Sequence, residues 1–132
     1  PCKYRVIAHS DGDVVLHAIM DAMLGSLALG DIGQLFPDSD PIFSGADSAD
    51  LTRKVRKCCL EEGYSVSNLD VTVICEQPNI NAIRGAMRQC IADVLDLPLE
   101  VVSVKASTME RLGAIGRNEG IAVIASVLMR SH

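Results

Sequence analysis

The chain has 132 residues, 48% hydrophobic but only 3% aromatic with no Trp, and a formal net charge of −5. That length makes one domain with a core of its own, and the core must be aliphatic. So few aromatics exclude base-stacking platforms, and the acidic balance argues against a duplex-binding surface. An anionic ligand would be held by local devices such as metals, helix N-termini and backbone N–H groups.

Residues 4–8 read as a short strand feeding the first helix. Ser10 with Asp13 three residues on is an acidic version of the capping box, so the helix is expected over residues 11–29, closed by Gly30 at C′. His9 then falls just before the cap, beside the open N–H groups of the first turn, a place suited to an anion. The helix is apolar on nearly every side (Val14, Val15, Leu16, Ile19, Met23, Leu24, Leu27). Yet His9, Asp13, His17 and Asp21 recur every four residues and stack into one polar stripe. Burying such a stripe bare is costly, so it is paired, hydrated or bound to something. His17 reads either as a hydrogen-bonded core histidine or as a metal ligand with carboxylates in support. Gly25, inside the helix, suggests close approach by another backbone or a ligand.

Residues 31–46 form an irregular loop of functional length. Its Asp31, Asp38 and Asp40 read as turn formers, or as a clasp that holds a ligand together with backbone N–H groups near Gly33. Asp47 and Asp50 then cap a second helix to about Glu62, ended by Gly63. It buries Leu51, Val55, Cys58 and Cys59 and presents Arg53, Lys54, Arg56 and Lys57 as a solvated face. Residues 69–75, LDVTVIC, are nearly all apolar and predict a central strand buried on both faces. After Pro78 a helix over residues 81–95 points Ile83, Met87, Ile91, Val94 and Leu95 inward. A strand over residues 101–106, a loop over 107–120 and a last strand over 121–128 complete the order β-α-α-β-α-β-β. The expected class is α+β, a mixed sheet with helices packed on one face. The other face needs a cover, which a symmetric oligomer supplies.

The five cysteines lack CxxC spacing and read as free thiols of a reducing compartment, packed as small hydrophobes. No signal peptide is recognisable, and no apolar run is long enough to span a membrane. Ser107, Thr108, Met109 and Glu110 bring hydroxyls, backbone N–H and a carboxylate to a strand end. They read as a capped turn, or as a holder for a phosphate and a hard cation such as Mg²⁺. Arg117 pairs with a phosphate or with Glu119. Combined with the helix stripe, the functional readings describe a diphosphate site with one nitrogen-liganded and one oxygen-liganded metal.

The motif order HSDGDVVLHAIMDAMLGSLALGDIGQLFPDSDP, GADS, NLDVTVI, VKAST-E and GRNEG resembles the 2-C-methyl-D-erythritol 2,4-cyclodiphosphate synthase family of the non-mevalonate isoprenoid pathway. The resemblance covers essentially the whole chain. It implies a homotrimer whose sheets face each other, with active sites between neighbouring subunits. It implies a phosphorus–oxygen lyase of a bacterial cytoplasm or plastid stroma, acting on a small-molecule cytidine diphosphate substrate. The 2-phosphate of 4-diphosphocytidyl-2-C-methyl-D-erythritol 2-phosphate attacks the β-phosphorus, CMP leaves, and the cyclic diphosphate closes without a covalent enzyme intermediate. Zn²⁺ or another divalent transition metal on one side, and Mg²⁺ or Mn²⁺ on the other, align and neutralise the phosphates. Neither nucleic acid nor a membrane is an implied partner.

Carried onto this sequence, the resemblance gives His17 the place of a zinc ligand. His9 and Ser10 match residues that contact substrate phosphate, and His9 with Thr108 match positions of transition-state stabilisation. Asp21 matches a carboxylate near the methylerythritol hydroxyls. Asp31, Ile32, Gly33, Phe36, Pro37, Asp38, Ser39 and Asp40 match the substrate loop. Cys75, Glu76, Gln77, Pro78, Asn79, Ile80 and Asn81 match the cytidine pocket, read largely through backbone. Ser107, Met109 and Glu110 complete it, with Glu110 as the divalent-cation ligand. Arg117 matches an arginine near the trimer axis. The chain departs from the pattern in its start: the family's Asp-x-His, which completes the zinc site, lies well upstream of the His9 position, and this sequence begins eight residues before His9. A single cyclodiphosphate synthase domain lacking that segment keeps one of the three protein ligands expected of a catalytic zinc. It is expected to hold zinc poorly, and the alternative function is a non-catalytic trimeric cytidine-nucleotide-binding module. Ser44 and Asn79 stand where basic residues are usual, and Ala114 where an aromatic is common.

Overall fold

Helix α1 (His9–Ser26) carries Val15, Leu16, Ile19, Met20, Met23 and Leu24 as adjacent pairs four residues apart, which keeps one side of the helix dry. All six are at most 1% exposed. The computed structural model describes residues 9–37, 47–76 and 83–132, with only the backbone of residues 9–11. The strand expected over residues 4–8 lies outside the described residues, as do Cys2 and Ser44.

Two features of α1 differ from expectation. It is helical from His9, so His9 stands inside the first turn and not ahead of the cap. At the other end the left-handed C′ residue is Ala28 (φ 56) and not Gly30. The Ala28 N–H donates to the Gly25 carbonyl at 3.1 Å and the Leu29 N–H to the Leu24 carbonyl at 2.9 Å. These are the paired bonds of a Schellman ending, and they close the helix before the chain reaches Gly30. Gly25 itself is not approached: a Cβ there would meet nothing within 4 Å among the described residues.

A single turn, α2 (Ile32–Leu35), stands inside the expected loop. Helix α3 (Ser48–Glu61) begins as anticipated, the Asp47 carboxylate accepting from the Ala49 N–H at 2.7 Å. It buries Ala49, Thr52, Val55 and Cys59, while Leu51 and Cys58 are half-buried. Burial pushes the Cys59 thiol up, with Cys58 and Glu62 adding to the effect. Arg53, Lys54 and Lys57 are exposed, in keeping with a solvated face.

Strand β1 (Tyr64–Ile74) starts five residues before the expected 69 and is central. It pairs in parallel with β2 (Val102–Ser107) and antiparallel with β3 (Ala122–Ser131), giving the order β2-β1-β3. Leu69, Val71 and Val73 are buried under the helices, whereas Asp70 and Thr72 are only half-buried on the opposite face. The expectation of a strand buried on both sides therefore fails, because the two polar residues inside LDVTVIC occupy alternate positions. Helix α4 (Arg84–Leu95) adds Met87, Cys90, Ile91, Val94 and Leu95 to the core. Cys58, Cys59 and Cys75 keep their thiols, but Cys90 is disulfide-bonded. Linear spacing does not report which sulfurs the fold brings within bonding distance.

Helix α1 packs on β3 and β1, α3 on α1 and β1, and α4 on β2 and α3. The helices thus share one face of the sheet, as expected. The opposite face carries Ile124 and Leu128, 59% and 58% exposed. Lys105 Nζ lies there 2.7 Å from Asp70 Oδ2 and holds the Asp70 carboxyl below the usual carboxylate range. No helix among the described residues is long and apolar enough to cross a membrane.

Candidate active site

The polar stripe of α1 runs along its outer side, where Asp13 is half-buried and His17 and Asp21 are exposed. His17 is therefore not a core histidine. Its Nε2 shares a hydrogen bond of 3.2 Å with Ser48 Oγ, at the start of α3. Asp21 Oδ1 accepts from the Ile32 N–H at 2.9 Å, and Asp31 Oδ1 accepts from the Gln34 N–H at 2.9 Å. Turn α2 is thus capped by Asp31 and tied to α1 by Asp21. Each carboxylate spends one oxygen on turn chemistry and keeps the other clear of the described residues. Gly33 is exposed, and Phe36 and Pro37 are half-buried beside this turn. Asp38, Ser39 and Asp40 lie outside the described residues, as do the side chains of His9 and Ser10.

Ser48 escaped the sequence reading, although a signal was present. Asp47 takes the cap of α3, so the Ser48 hydroxyl at the next position has no capping duty. Its residue is only 6% exposed, and a buried hydroxyl needs a partner.

A second group forms where β1 and β2 end side by side. There the Cys75 N–H donates to the Ser107 carbonyl at 3.1 Å. Glu76 Oε1 accepts from the Met109 N–H at 2.9 Å and the Arg111 N–H at 3.3 Å. Thr108 Oγ1 accepts from the Glu110 N–H at 3.2 Å, which leaves its own O–H available to donate. Glu110 (φ 53) and Arg111 (φ 64) are successive left-handed residues, a backbone state that L-residues resist. The Glu110 side chain is exposed, and its carboxylate has no partner among the described residues. Beyond it, the one-turn helix α5 (Gly113–Gly116) folds back against Arg111. A Cβ on Gly116 would run into the Arg111 carbonyl carbon and lie 2.8 Å from its Cα, so only glycine fits there. Arg117 pairs with Glu119, Nε to Oε2 at 2.8 Å and Nη2 to Oε1 at 3.3 Å. Gln77, Pro78, Asn79, Ile80 and Asn81 lie outside the described residues.

The two groups differ in what they could hold. Among the described residues no three His, Cys, Asp or Glu side chains come together as a metal would need. His17 offers one nitrogen donor where a catalytic zinc takes three protein ligands, so these residues do not by themselves fit zinc. The Glu110 carboxylate fits a hard cation such as Mg²⁺, which takes one or two carboxylates and fills its shell with water and substrate phosphate.

A carboxylate without a partner among the described residues, a hydroxyl with a spare proton and a tightly constrained turn thus gather where the parallel pair β1 and β2 ends. The class this defines is a small α+β protein with a candidate site for a metal-bound phosphate. The comparisons with known proteins carry it further. The YgbB family model matches residues 1–130. Over 132 residues the chain is 54% identical to a 2-C-methyl-D-erythritol 2,4-cyclodiphosphate synthase of Acinetobacter baumannii, covering all of this chain and 82% of that protein. Over 129 residues it is 57% identical to the synthase of the same name from Chromohalobacter salexigens, covering 98% and 80% of the two chains. Among solved structures, the CDP complex of IspF from Plasmodium falciparum superposes with a TM-score of 0.81 at 36% identity, covering 94% of this chain and 74% of that one. The bifunctional IspDF of Campylobacter jejuni gives 0.87 at 43% identity, with 95% of this chain covered and 34% of that one. The chain belongs to the YgbB family, the family of 2-C-methyl-D-erythritol 2,4-cyclodiphosphate synthases that its motifs resemble.

Proposed function

We propose that the protein is a phosphorus–oxygen lyase that converts 4-diphosphocytidyl-2-C-methyl-D-erythritol 2-phosphate into 2-C-methyl-D-erythritol 2,4-cyclodiphosphate and CMP. The observation that carries this reading is 54% identity to a synthase of that name over all 132 residues. An oxygen of the 2-phosphate bonds to the β-phosphorus, the bond from that phosphorus to the α,β-bridging oxygen breaks, and the bridging oxygen leaves with CMP. Phosphoryl transfer of this kind asks the protein mainly for positioning and charge stabilisation. The Thr108 O–H donates to a phosphoryl oxygen as charge develops on it. Glu110 would hold Mg²⁺ or Mn²⁺, which would supply charge neutralisation to the diphosphate. Asp21 and Asp31 present their spare oxygens to substrate hydroxyls, and the Ile32 to Gly33 backbone forms the wall between them. By the family resemblance, His9 and Ser10 are the residues proposed to contact substrate phosphate. Cys75 to Asn81 and Ser107 to Met109 are proposed to receive the cytidine through backbone groups; that a cytidine nucleotide is the ligand is supported by the CDP complex of the related Plasmodium protein.

His17 is proposed as one ligand of a transition-metal site that needs donors beyond those of the described residues, and no step is drawn through that ion. A homotrimer is the proposed assembly, with Arg117 near its axis. It would cover the open sheet face, where Ile124 and Leu128 are 59% and 58% exposed in the single chain.

The test is CMP release from the diphosphocytidyl substrate with and without chelator, alongside CMP binding by calorimetry. Metal-dependent release by the wild type, abolished in His17→Ala with the trimer intact, is the expected result. CMP binding without turnover at saturating metal would replace the synthase by a nucleotide-binding module. Unchanged turnover in His17→Ala would remove His17 from the metal site.

A further inference from the structure

We propose that Glu76 is a positioning residue whose carboxylate holds the Ser107–Arg111 turn in the shape that presents Glu110 and Thr108. The inference rests on the reading of Glu110 as a divalent-cation ligand and of Thr108 as a donor to phosphate. Glu76 stands just past the end of β1, beside the chain that leaves β2, because the two parallel strands end in register at Ile74 and Ser107.

Three consecutive backbone N–H groups in that turn are taken by side-chain oxygens. Met109 and Arg111 both donate to Glu76 Oε1, at 2.9 and 3.3 Å, and Glu110 donates to Thr108 Oγ1 at 3.2 Å. Successive N–H groups beside left-handed residues make a concavity that takes an acceptor oxygen, and here the oxygen in it is Oε1 of Glu76. Glu110 and Arg111 are held at φ 53 and 64, a state that ordinary residues leave unless the surroundings over-determine it. The double acceptor at Glu76 is what over-determines it on one side, and the close approach of Gly116 to the Arg111 backbone does so on the other. The Glu76 side chain therefore serves the turn and not the nucleotide, and what the geometry uses is an acceptor oxygen, not a negative charge.

Three variants separate these roles: Glu76→Ala, Glu76→Asp and Glu76→Gln. Each is followed by CMP release against Mg²⁺ concentration and by amide hydrogen exchange at Met109 and Arg111. In Glu76→Ala the half-saturating Mg²⁺ concentration should rise roughly 10- to 100-fold, the range for loss of a group that orients a metal ligand. The kcat should fall about 10²-fold, the loss that a displacement of about 1 Å causes. Exchange at both amides should accelerate. Glu76→Gln keeps an oxygen at the same reach and should recover most of both losses. Glu76→Asp is one methylene short and should lose protection at Arg111, the longer of the two bonds, first. If Glu76→Gln is as impaired as Glu76→Ala, the charge is in use and Glu76 is a cation or substrate ligand, which overturns the proposal. Unchanged exchange in Glu76→Ala also overturns it. Should Glu76→Ala fail to fold, the Gln variant decides whether charge is needed and exchange in the Asp variant decides whether the carboxylate holds the turn. A wild type that turns over no substrate would refute the proposed reaction, while the exchange data would still decide the role of Glu76.

Discussion

Gly116→Ala is the sharpest test of how the turn at the end of β2 works. The added Cβ would run into the carbonyl carbon of Arg111 and sit 2.8 and 2.9 Å from its Cα and carbonyl oxygen. All three are backbone atoms, so no rotamer change relieves the contact. Ordinary van der Waals separation begins at about 3.5 Å, so the two backbones must part by about 1 Å. The Gly116 N–H bond to the Leu112 carbonyl at 3.0 Å and the Arg117 N–H bond to the Gly113 carbonyl at 2.9 Å hold α5 in place. Overpacking of this kind costs about 1–3 kcal/mol, and each bond lost about 0.5–1.5 kcal/mol more. The α5 segment buries no residue, so the turn can yield locally and the domain core is spared. Yet Arg111 is the neighbour of Glu110, so a shift of about 1 Å there should cost about 10²-fold in CMP release. Steady-state kinetics alongside chemical denaturation separates the two effects. Activity within about threefold of wild type would refute the claim that Gly116 sets the position of Glu110, since a shift of that size costs far more. A collapse of stability by more than about 4 kcal/mol would refute the claim that the strain stays local.

Three further outcomes are expected. Ala28→Gly relieves the left-handed φ of 56 and should raise the unfolding free energy by about 1 kcal/mol, measured by urea denaturation; no gain would mean that the Schellman ending is not the resting state of α1. Lys105→Gln removes the cation that depresses the Asp70 carboxyl. A depressed pKa stabilises above the unfolded value of about 3.9 and loses that stabilisation as pH falls through the lower folded value. The variant should therefore be less stable than wild type by about 0.2–1 kcal/mol at neutral pH, a difference that vanishes below the Asp70 pKa; a difference independent of pH would point to packing instead. Thr108→Val removes the O–H donor and should lower kcat by about 10²-fold with a much smaller change in CMP affinity, and equal losses would make Thr108 a binding residue only.

Much of this molecule follows from local rules. The apolar spacing of Val15, Leu16, Ile19 and Met23 makes α1 and the aliphatic core, the Asp47 carboxylate starts α3, and the β-branched residues of LDVTVIC make a strand. Each is set by neighbours within a turn or a pleat, so the sequence by itself determines them. It also determines the family, because HSDGD, GADS, VKAST and GRNEG stand in order along the whole chain. What it leaves open are pairings between residues distant along the chain. His17 meets Ser48, Asp21 meets Ile32, and Glu76 meets Met109 and Arg111, and none of these spacings has a period that a helix or strand could announce. The end of α1 falls at Ala28 and not at Gly30 because glycine is only the commonest left-handed residue, and the Leu24 and Gly25 carbonyls hold the chain there. Gly116 can be read from its letter only as a flexible loop residue. The tertiary structure shows it as a steric requirement, because the space a Cβ would fill is occupied by the Arg111 backbone.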